Sequence, residues 1–274
     1  MKISGRTKIT GIIGYPIEHT LSPAMHNAAF ASLGLDYCYV PFLVYPDNLA
    51  TAVKAIRALN MRGVNVTVPH KERVIPFLDG TDGEAAFIGA VNTIVHSEGT
   101  LTGYNTDGRG FMQSLFESGI SPDGKEILII GAGGAARAVG YYLSQKAGAL
   151  SIFGRTREKA ERLAHDLNRV RDVLSALQNV ADIRRFQIII NATPLGLKKG
   201  DPLPFDTALL QPGQTVCDLI YRDTPLLDEA AKKGCRILNG SGMLLWQGAL
   251  AFELWTGRRP DIAVMRDALM AAGR

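Results

Sequence analysis

The sequence predicts an α/β protein of two domains, the second of them a doubly wound parallel sheet. Three observations carry that prediction. Short apolar runs alternate with amphipathic stretches along most of the chain, the pattern of strands and helices taken in turn. The run at 127–130 is apolar throughout and leads directly into Gly131-Ala132-Gly133-Gly134-Ala135-Ala136, a glycine turn that opens an alanine-rich helical stretch. The length, 274 residues, is also large for a single hydrophobic core.

In the first half, 9–13 reads as a strand and 23–33 as a helix. A strand at 37–43, a helix at 47–60 and a strand at 63–67 follow. The segment 71–78 reads as helical. The runs 91–95 and 101–103 then form a short hairpin-like pair, and a helix starting at Asp107 and ending near Gly119 carries the chain onward. Ser121-Pro122-Asp123-Gly124 has the residues of a turn.

The second half begins with the strand at 127–130 and a helix over 135–146, closed by Gly148. A strand at 150–153 and a polar-faced helix at 157–168 come next. Apolar runs at 187–190, 215–220 and 236–238 complete the strands, with helical periodicity at 226–233 between the last two. The tail, 243–255 and 260–272, is helical and apolar enough to need a packing partner, which we place on the first domain. The resulting organisation is 1–106, 107–239 and a returning tail at 240–274.

Bulk properties exclude several function classes. Apolar residues make up 46% and charged residues 20%, the balance of a globular rather than a disordered chain. No apolar run exceeds five residues, and no secretory-length hydrophobic stretch follows Lys2, Arg6 and Lys8, so neither membrane insertion nor export is expected. Net charge is +4, with basic pairs such as Arg184-Arg185 and Lys232-Lys233 scattered along the chain. That argues against nucleic acid and favours small anionic substrates. Three widely spaced cysteines without a CxxC fit a reducing cytoplasm and buried thiols. With no HExxH and no cysteine pair at zinc-finger spacing, no metal is expected.

The chemistry concentrates in three Asn-Thr segments: Asn65-Val-Thr67-Val-Pro-His-Lys71, Gly89-Ala-Val-Asn92-Thr93 and Asn105-Thr-Asp107. Amides and hydroxyls both donate and accept, so such a cluster suits a polyhydroxylated ligand. The same segments deliver one lysine and one aspartate, a pair able to move a proton. Lys71 follows a proline at an expected helix start, where a cation opposes the helix dipole and needs a reason to be present. Asp107 has an ordinary structural use as the cap of helix 108–118, and capping is compatible with proton transfer. Which of the two carries the proton stays open. In His19-Thr20-Leu21-Ser22-Pro23, Ser22 reads as a helix cap with Pro23 at the first position, and a helix start with two hydroxyls also suits a carboxylate. His19, His26 and His70 read as structural or supporting residues.

The glycine turn fits G-x-G-x-x-[GA] between a buried strand and a helix. Its backbone can approach a pyrophosphate, and the helix amino terminus supplies N–H groups and partial positive charge. That is a Rossmann-like dinucleotide site. An NAD site usually ends its second strand with an acid. Here Ser151-Ile-Phe-Gly154-Arg155-Thr156-Arg157 has none before Glu158, and its guanidiniums and hydroxyl suit the 2′-phosphate of NADP.

These segments, together with Gly14-Tyr-Pro-Ile17, Met25-His-Asn27, Asn191-Ala-Thr193, Asp218-Leu-Ile-Tyr221, Gly242-Met243 and Gln247, resemble the shikimate/quinate dehydrogenase family in order over almost the whole chain. The resemblance implies a substrate-binding catalytic domain, an NADP-binding domain and carboxy-terminal helices that pack back on the first. It implies reduction of 3-dehydroshikimate to shikimate with NADPH in aromatic amino-acid biosynthesis, by a monomer or homodimer. Lys71 and Asp107 would form the catalytic pair. Thr20 and Ser22 would hold the substrate carboxylate, and Asn65, Thr67, Asn92, Tyr221 and Gln247 would complete the pocket. Gly131, Gly133, Gly134 and Ala135 would cradle the pyrophosphate, Arg155 and Thr156 the 2′-phosphate, and Thr193, Gly240 and Met243 the nicotinamide half. The chain departs from the family in Thr20 (usually Ser), in Gly154 (usually Asn) and in a shorter loop after Tyr221. Three rival readings follow: a quinate/shikimate dehydrogenase able to use NAD, a non-catalytic NADP-binding regulator, and another reductase on the same scaffold.

Overall fold

The computed structural model describes residues 3–172, 174–177, 179 and 183–273. It divides into two compact units, Met1–Thr106 with Leu245–Arg274 and Asp107–Leu244.

The first unit runs β1 (Lys8–Gly14), α1 (Ser22–Ser32), β2 (Tyr37–Leu43), α2 (Leu49–Ala58), β3 (Gly63–Val66), β4 (Gly80–Thr81), α3 (Gly83–Ile88), β5 (Thr93–Ser97) and β6 (Thr100–Tyr104). Among the described residues these strands form a six-stranded sheet in the order β2-β1-β3-β5-β6-β4. β1 pairs parallel with β2 and β3, whereas β5 pairs antiparallel with β3 and β6, so the sheet is mixed. Ile13, Val53, Ile56, Val64, Val66, Ile94 and Leu101 fill its core. Each such side chain contributes roughly 1.5–3 kcal/mol on leaving water.

The second unit runs α4 (Asp107–Glu117), β7 (Glu126–Ile130), α5 (Gly134–Leu143), β8 (Ala149–Phe153), α6 (Arg157–Asn168), β9 (Leu174–Ala176), β10 (Ile188–Asn191), β11 (Thr215–Asp218), α7 (Pro225–Lys232) and β12 (Arg236–Leu238). Its sheet, in the order β12-β11-β10-β7-β8-β9, is parallel throughout. Counted from β7, that is the doubly wound order 3-2-1-4-5-6, whose direction reverses between β7 and β10. α8 (Ser241–Thr256) and α9 (Ile262–Ala272) close the chain. The later part of α8 packs on the first sheet, where the fully buried Trp255 donates from its indole N–H to the Ile94 carbonyl at 3.0 Å. No described helix is long and apolar enough to cross a membrane.

Two local expectations are corrected. No α-helix covers 71–78: one turn closes from the Val74 N–H to the His70 carbonyl (2.9 Å), and a 3-10 turn follows at Ile75–Phe77. Pro76 has no N–H for the Glu72 carbonyl, so the first turn cannot propagate. Lys71 therefore does not stand at a helix start. Ser22, likewise, is not a cap. Leu21 already has helical dihedrals, α1 begins at Ser22, and the hydroxyl that accepts the Ser22 N–H is that of Thr20, at 3.3 Å.

His26, on α1, is fully buried in an aromatic box. Its ring stacks on Tyr39 at 4.3 Å and 8°, with Phe252 and Trp255 beyond. Among the described residues neither ring nitrogen has a hydrogen-bond partner, and burial lowers the imidazole pKa to about 3. The unfolded chain therefore binds a proton near pH 6.5 that the folded one refuses until about pH 3. Stability should fall as pH drops through that window, by an amount on the order of 4 kcal/mol at its acid end. His26→Leu should flatten the fall in Tm between pH 6.5 and 4 relative to the parent. Parallel Tm–pH curves for the two proteins would rule this assignment out.

Candidate active site

In the first unit the strands bring amides and hydroxyls into one buried network. Asn65, on β3, accepts at Oδ1 from the Tyr39 hydroxyl (2.8 Å). It donates from Nδ2 to the Thr93 hydroxyl (3.0 Å) and to the Asn92 carbonyl (3.2 Å). Asn92 accepts at Oδ1 from the Thr106 N–H (2.8 Å) and from the Thr93 hydroxyl (3.0 Å). Its Nδ2 donates to the Thr106 hydroxyl (2.9 Å) and to Gln247 Oε1 (3.4 Å). Asn65, Asn92, Thr93, Thr106 and Gln247 are all buried. A buried amide left unsatisfied costs about 1–3 kcal/mol, so each member constrains the next.

Lys71 is fixed through its backbone, its carbonyl accepting from the Val91 N–H at 2.8 Å, one residue from Asn92. His70 anchors the same segment: its N–H donates to the Thr67 carbonyl (2.9 Å), and its buried ring donates from Nε2 to the Val44 carbonyl (2.8 Å). Thr67 is half-buried and donates its N–H to the Ile13 carbonyl at 3.0 Å. Thr20 is half-buried beside the buried Ser22 at the start of α1.

The remaining expected residues lie on the second unit. Asp107 is the buried first residue of α4, inside the helix rather than before it, and Tyr221 is half-buried after β11. Gly131 follows β7 at the switch point with φ +119, and a Cβ there would stand 2.8 Å from the Ala192 carbonyl oxygen. Only glycine meets both demands. Gly133 occupies the cap position of α5 with no side chain satisfying the first-turn N–H groups. Gly134 and Ala135 open that helix, whose amino terminus is a donor set for an anion. Arg157 is engaged with Glu161 at 2.7 Å, whereas the exposed Arg155 makes no ion pair or hydrogen bond among the described residues. Thr156 is exposed at the cap of α6. The glycine turn and the open helix start suit a dinucleotide pyrophosphate, and Arg155 suits an extra phosphate.

Asn191 and Asp218, at the ends of β10 and β11, are buried residues not foreseen as polar anchors from the sequence. Asn191 accepts from the Thr193 N–H (3.0 Å) and hydroxyl (2.7 Å) and donates to Asp218 (3.1 Å). Burial pushes the Asp218 carboxyl above the usual carboxylate range, and hydrogen bonds from Ile220, Thr224 and Asn191 oppose that shift. A carboxylate closing an apolar strand was the available signal. Gly240 donates its N–H to the Ile220 carbonyl at 2.8 Å, with no room for a Cβ beneath Leu219, and Met243 is buried in the first turn of α8.

Sheet order, switch-point glycine and open helix start define the second unit as a dinucleotide-binding fold. A family model described as the shikimate dehydrogenase substrate binding domain matches residues 12–94. The model of shikimate / quinate 5-dehydrogenase matches 113–195, and that of the shikimate 5′-dehydrogenase C-terminal domain matches 240–270. The shikimate dehydrogenase (NADP(+)) of Desulforamulus reducens is 48% identical over 280 residues, covering 98% of this chain and 96% of the relative. A crystal structure of a shikimate dehydrogenase in complex with NADP+ is 43% identical, with a TM-score of 0.92 over 98% of this chain and 97% of that one. The Thermus thermophilus enzyme in complex with NADP(H) and shikimate is 38% identical, with a TM-score of 0.89 over 97% of this chain and 100% of that one. A Corynebacterium glutamicum quinate dehydrogenase in complex with NAD is 30% identical, with a TM-score of 0.89 over 97% and 99%. This chain belongs to the shikimate dehydrogenase family.

Gly131→Ala should cost on the order of 1–3 kcal/mol, because the backbone is strained for any Cβ and the Ala192 carbonyl must move. The measurement is Tm by calorimetry. An unchanged Tm would mean that the turn relaxes freely.

Proposed function

We propose that this chain is an NADP-dependent shikimate dehydrogenase, interconverting 3-dehydroshikimate and shikimate. The observation that carries the reading is the buried amide–hydroxyl network of Asn65, Thr93, Asn92, Thr106 and Gln247, in a chain aligned end to end with NADP(+)-dependent shikimate dehydrogenases. Such a floor matches a ring bearing several hydroxyls, since every group on it can donate or accept in a fixed direction.

In this reading Asn65, Thr67, Asn92 and Gln247 orient the hydroxyls, with Tyr221 completing the pocket, while Thr20 and Ser22 take the carboxylate. Lys71 and Asp107 serve the proton that leaves the substrate hydroxyl on oxidation and returns to the ketone oxygen on reduction. NADP, when bound, supplies the hydride chemistry. Gly131, Gly133, Gly134 and Ala135 offer its pyrophosphate backbone donors, Arg155 and Thr156 receive the 2′-phosphate, and Thr193, Gly240 and Met243 shape the nicotinamide end.

The test is a rate measurement by nicotinamide absorbance with shikimate and with quinate, each with NADP+ and with NAD+. Strong preference for shikimate with NADP+ is expected. Comparable turnover of quinate, or with NAD+, would move the chain to the quinate-using branch of the family. No turnover with any combination would favour a regulator or another reductase.

Two variants assign the roles. Lys71→Ala should lower kcat by roughly 10²–10⁴-fold with a much smaller change in KM, as expected for a proton-transfer group. A kcat within a few-fold of the parent would remove Lys71 from the chemistry. Arg155→Ala should raise KM for NADP+ at least about 10-fold and leave KM for NAD+ nearly unchanged, because the charge-assisted pair exists only with the 2′-phosphate. Equal effects on both cofactors would place the 2′-phosphate elsewhere.

A further inference from the structure

We propose that Tyr39 is a positioning residue for the substrate, its buried hydroxyl holding Asn65 in the orientation it presents to the substrate. The proposal rests on the dehydrogenase reading above and adds to it a residue that touches neither reacting centre.

The direction of each bond follows from groups that can act in one sense only. The Asn92 carbonyl can only accept, so Asn65 must turn Nδ2 toward it, at 3.2 Å. That leaves Asn65 Oδ1 facing Tyr39, where an oxygen can only accept, so the Tyr39 O–H must donate, at 2.8 Å. The phenol proton is thereby committed and the phenol oxygen becomes an acceptor. Burial keeps the phenol protonated by raising it well above its ordinary range. One hydroxyl on β2 thus fixes the direction of the first amide of the network, on β3.

Tyr39 is well built for this task. It is 2% exposed, and its ring is clamped against His26 at 4.3 Å and 8°, so the hydroxyl cannot swing away from Asn65. The same clamp makes the test clean. Tyr39→Phe keeps the stacked ring and deletes the hydroxyl alone, leaving Asn65 Oδ1 without its donor.

The experiment is steady-state kinetics of the parent, Tyr39→Phe, Asn65→Ala and the double variant, with Tm recorded for each. Tyr39→Phe is expected to lower kcat/KM for shikimate about 10-fold, mainly through KM, which corresponds to about 1.4 kcal/mol, with KM for NADP+ unchanged. In the Asn65→Ala background the same change should have less than about a twofold effect, because its main route to the substrate is gone. A lowered Tm with KM for shikimate within twofold of the parent would make Tyr39 a packing residue only and overturn the proposal. Fully multiplicative effects in the double variant would also overturn it. Should Asn65→Ala not fold, the comparison moves to Asn65→Ser, with the same two outcomes. A parent without shikimate turnover would overturn the dehydrogenase reading, and this proposal with it. A parent that turns over shikimate while Tyr39→Phe matches it would overturn this proposal alone.

Discussion

Asn65 stands on a strand buried along its whole length, between Val64 and Val66, and a primary amide in that position must find partners for both of its ends. That constraint organises the first unit. Its N–H group needs the Asn92 carbonyl and the Thr93 hydroxyl, which fixes β5 against β3, and its oxygen needs Tyr39, which fixes β2 on the far side of β1. Asn92 passes the demand on to Thr106 and Gln247, so α8 is held to the sheet by polar bonds as well as by Trp255. An apolar strand of the same shape would pack as well but leave nothing pointing in a defined direction. The network is partly a stability device, yet its main consequence is a set of oriented donors and acceptors.

The second unit solves a similar problem at its switch point. Parallel strands end with unpaired backbone groups, and the loops after β10 and β11 must be held in place by side chains. Asn191 and Asp218 do this from inside, Asn191 gathering Thr193 and Asp218 gathering Ile220 and Thr224. Thr224 also accepts from the Leu227 N–H at the start of α7, so one hydroxyl joins the loop to the helix behind it. A Cβ on residue 131 would come within 2.8 Å of the Ala192 carbonyl oxygen, so the glycine turn and the neighbouring loop are fitted to each other as a pair.

Much of this was legible in the sequence, for a physical reason. β2, α6 and β12 fall at the residues that periodicity assigns them, and the doubly wound sheet follows from strands that are apolar on both faces. Periodicity fails where an element is too short to show it. The six-residue α3 was missed although Asp82 caps it and Gly89 closes it with φ +69, and the three-residue β9 escaped as well. It also fails where one residue vetoes a pattern, as Pro76 does for 71–78. At the site, three Asn-Thr segments disclosed the polar material but not its bonding. Tyr39 was invisible because a tyrosine in an apolar strand looks like packing. Ser22 was misread because the sequence could not reveal that Leu21 is already helical.

In the proposed reading, the composition of the floor separates binding from proton movement. The amides and hydroxyls of Asn65, Thr93, Asn92, Thr106 and Gln247 do not change charge in the range where a lysine or an aspartate exchanges protons. Tyr39 holds its proton throughout that range because burial raises its phenol, and His26 behind it stays neutral down to about pH 3. In the proposed reading the orientation of the floor would therefore be the same whether Lys71 or Asp107 held the proton. A floor built of carboxylates and imidazoles could have bound the same hydroxyls, but it would have reorganised each time the reaction moved a charge past it. Uncharged groups oriented by backbone carbonyls and N–H groups avoid that response, which in the proposed reading leaves proton transfer to Lys71 and Asp107.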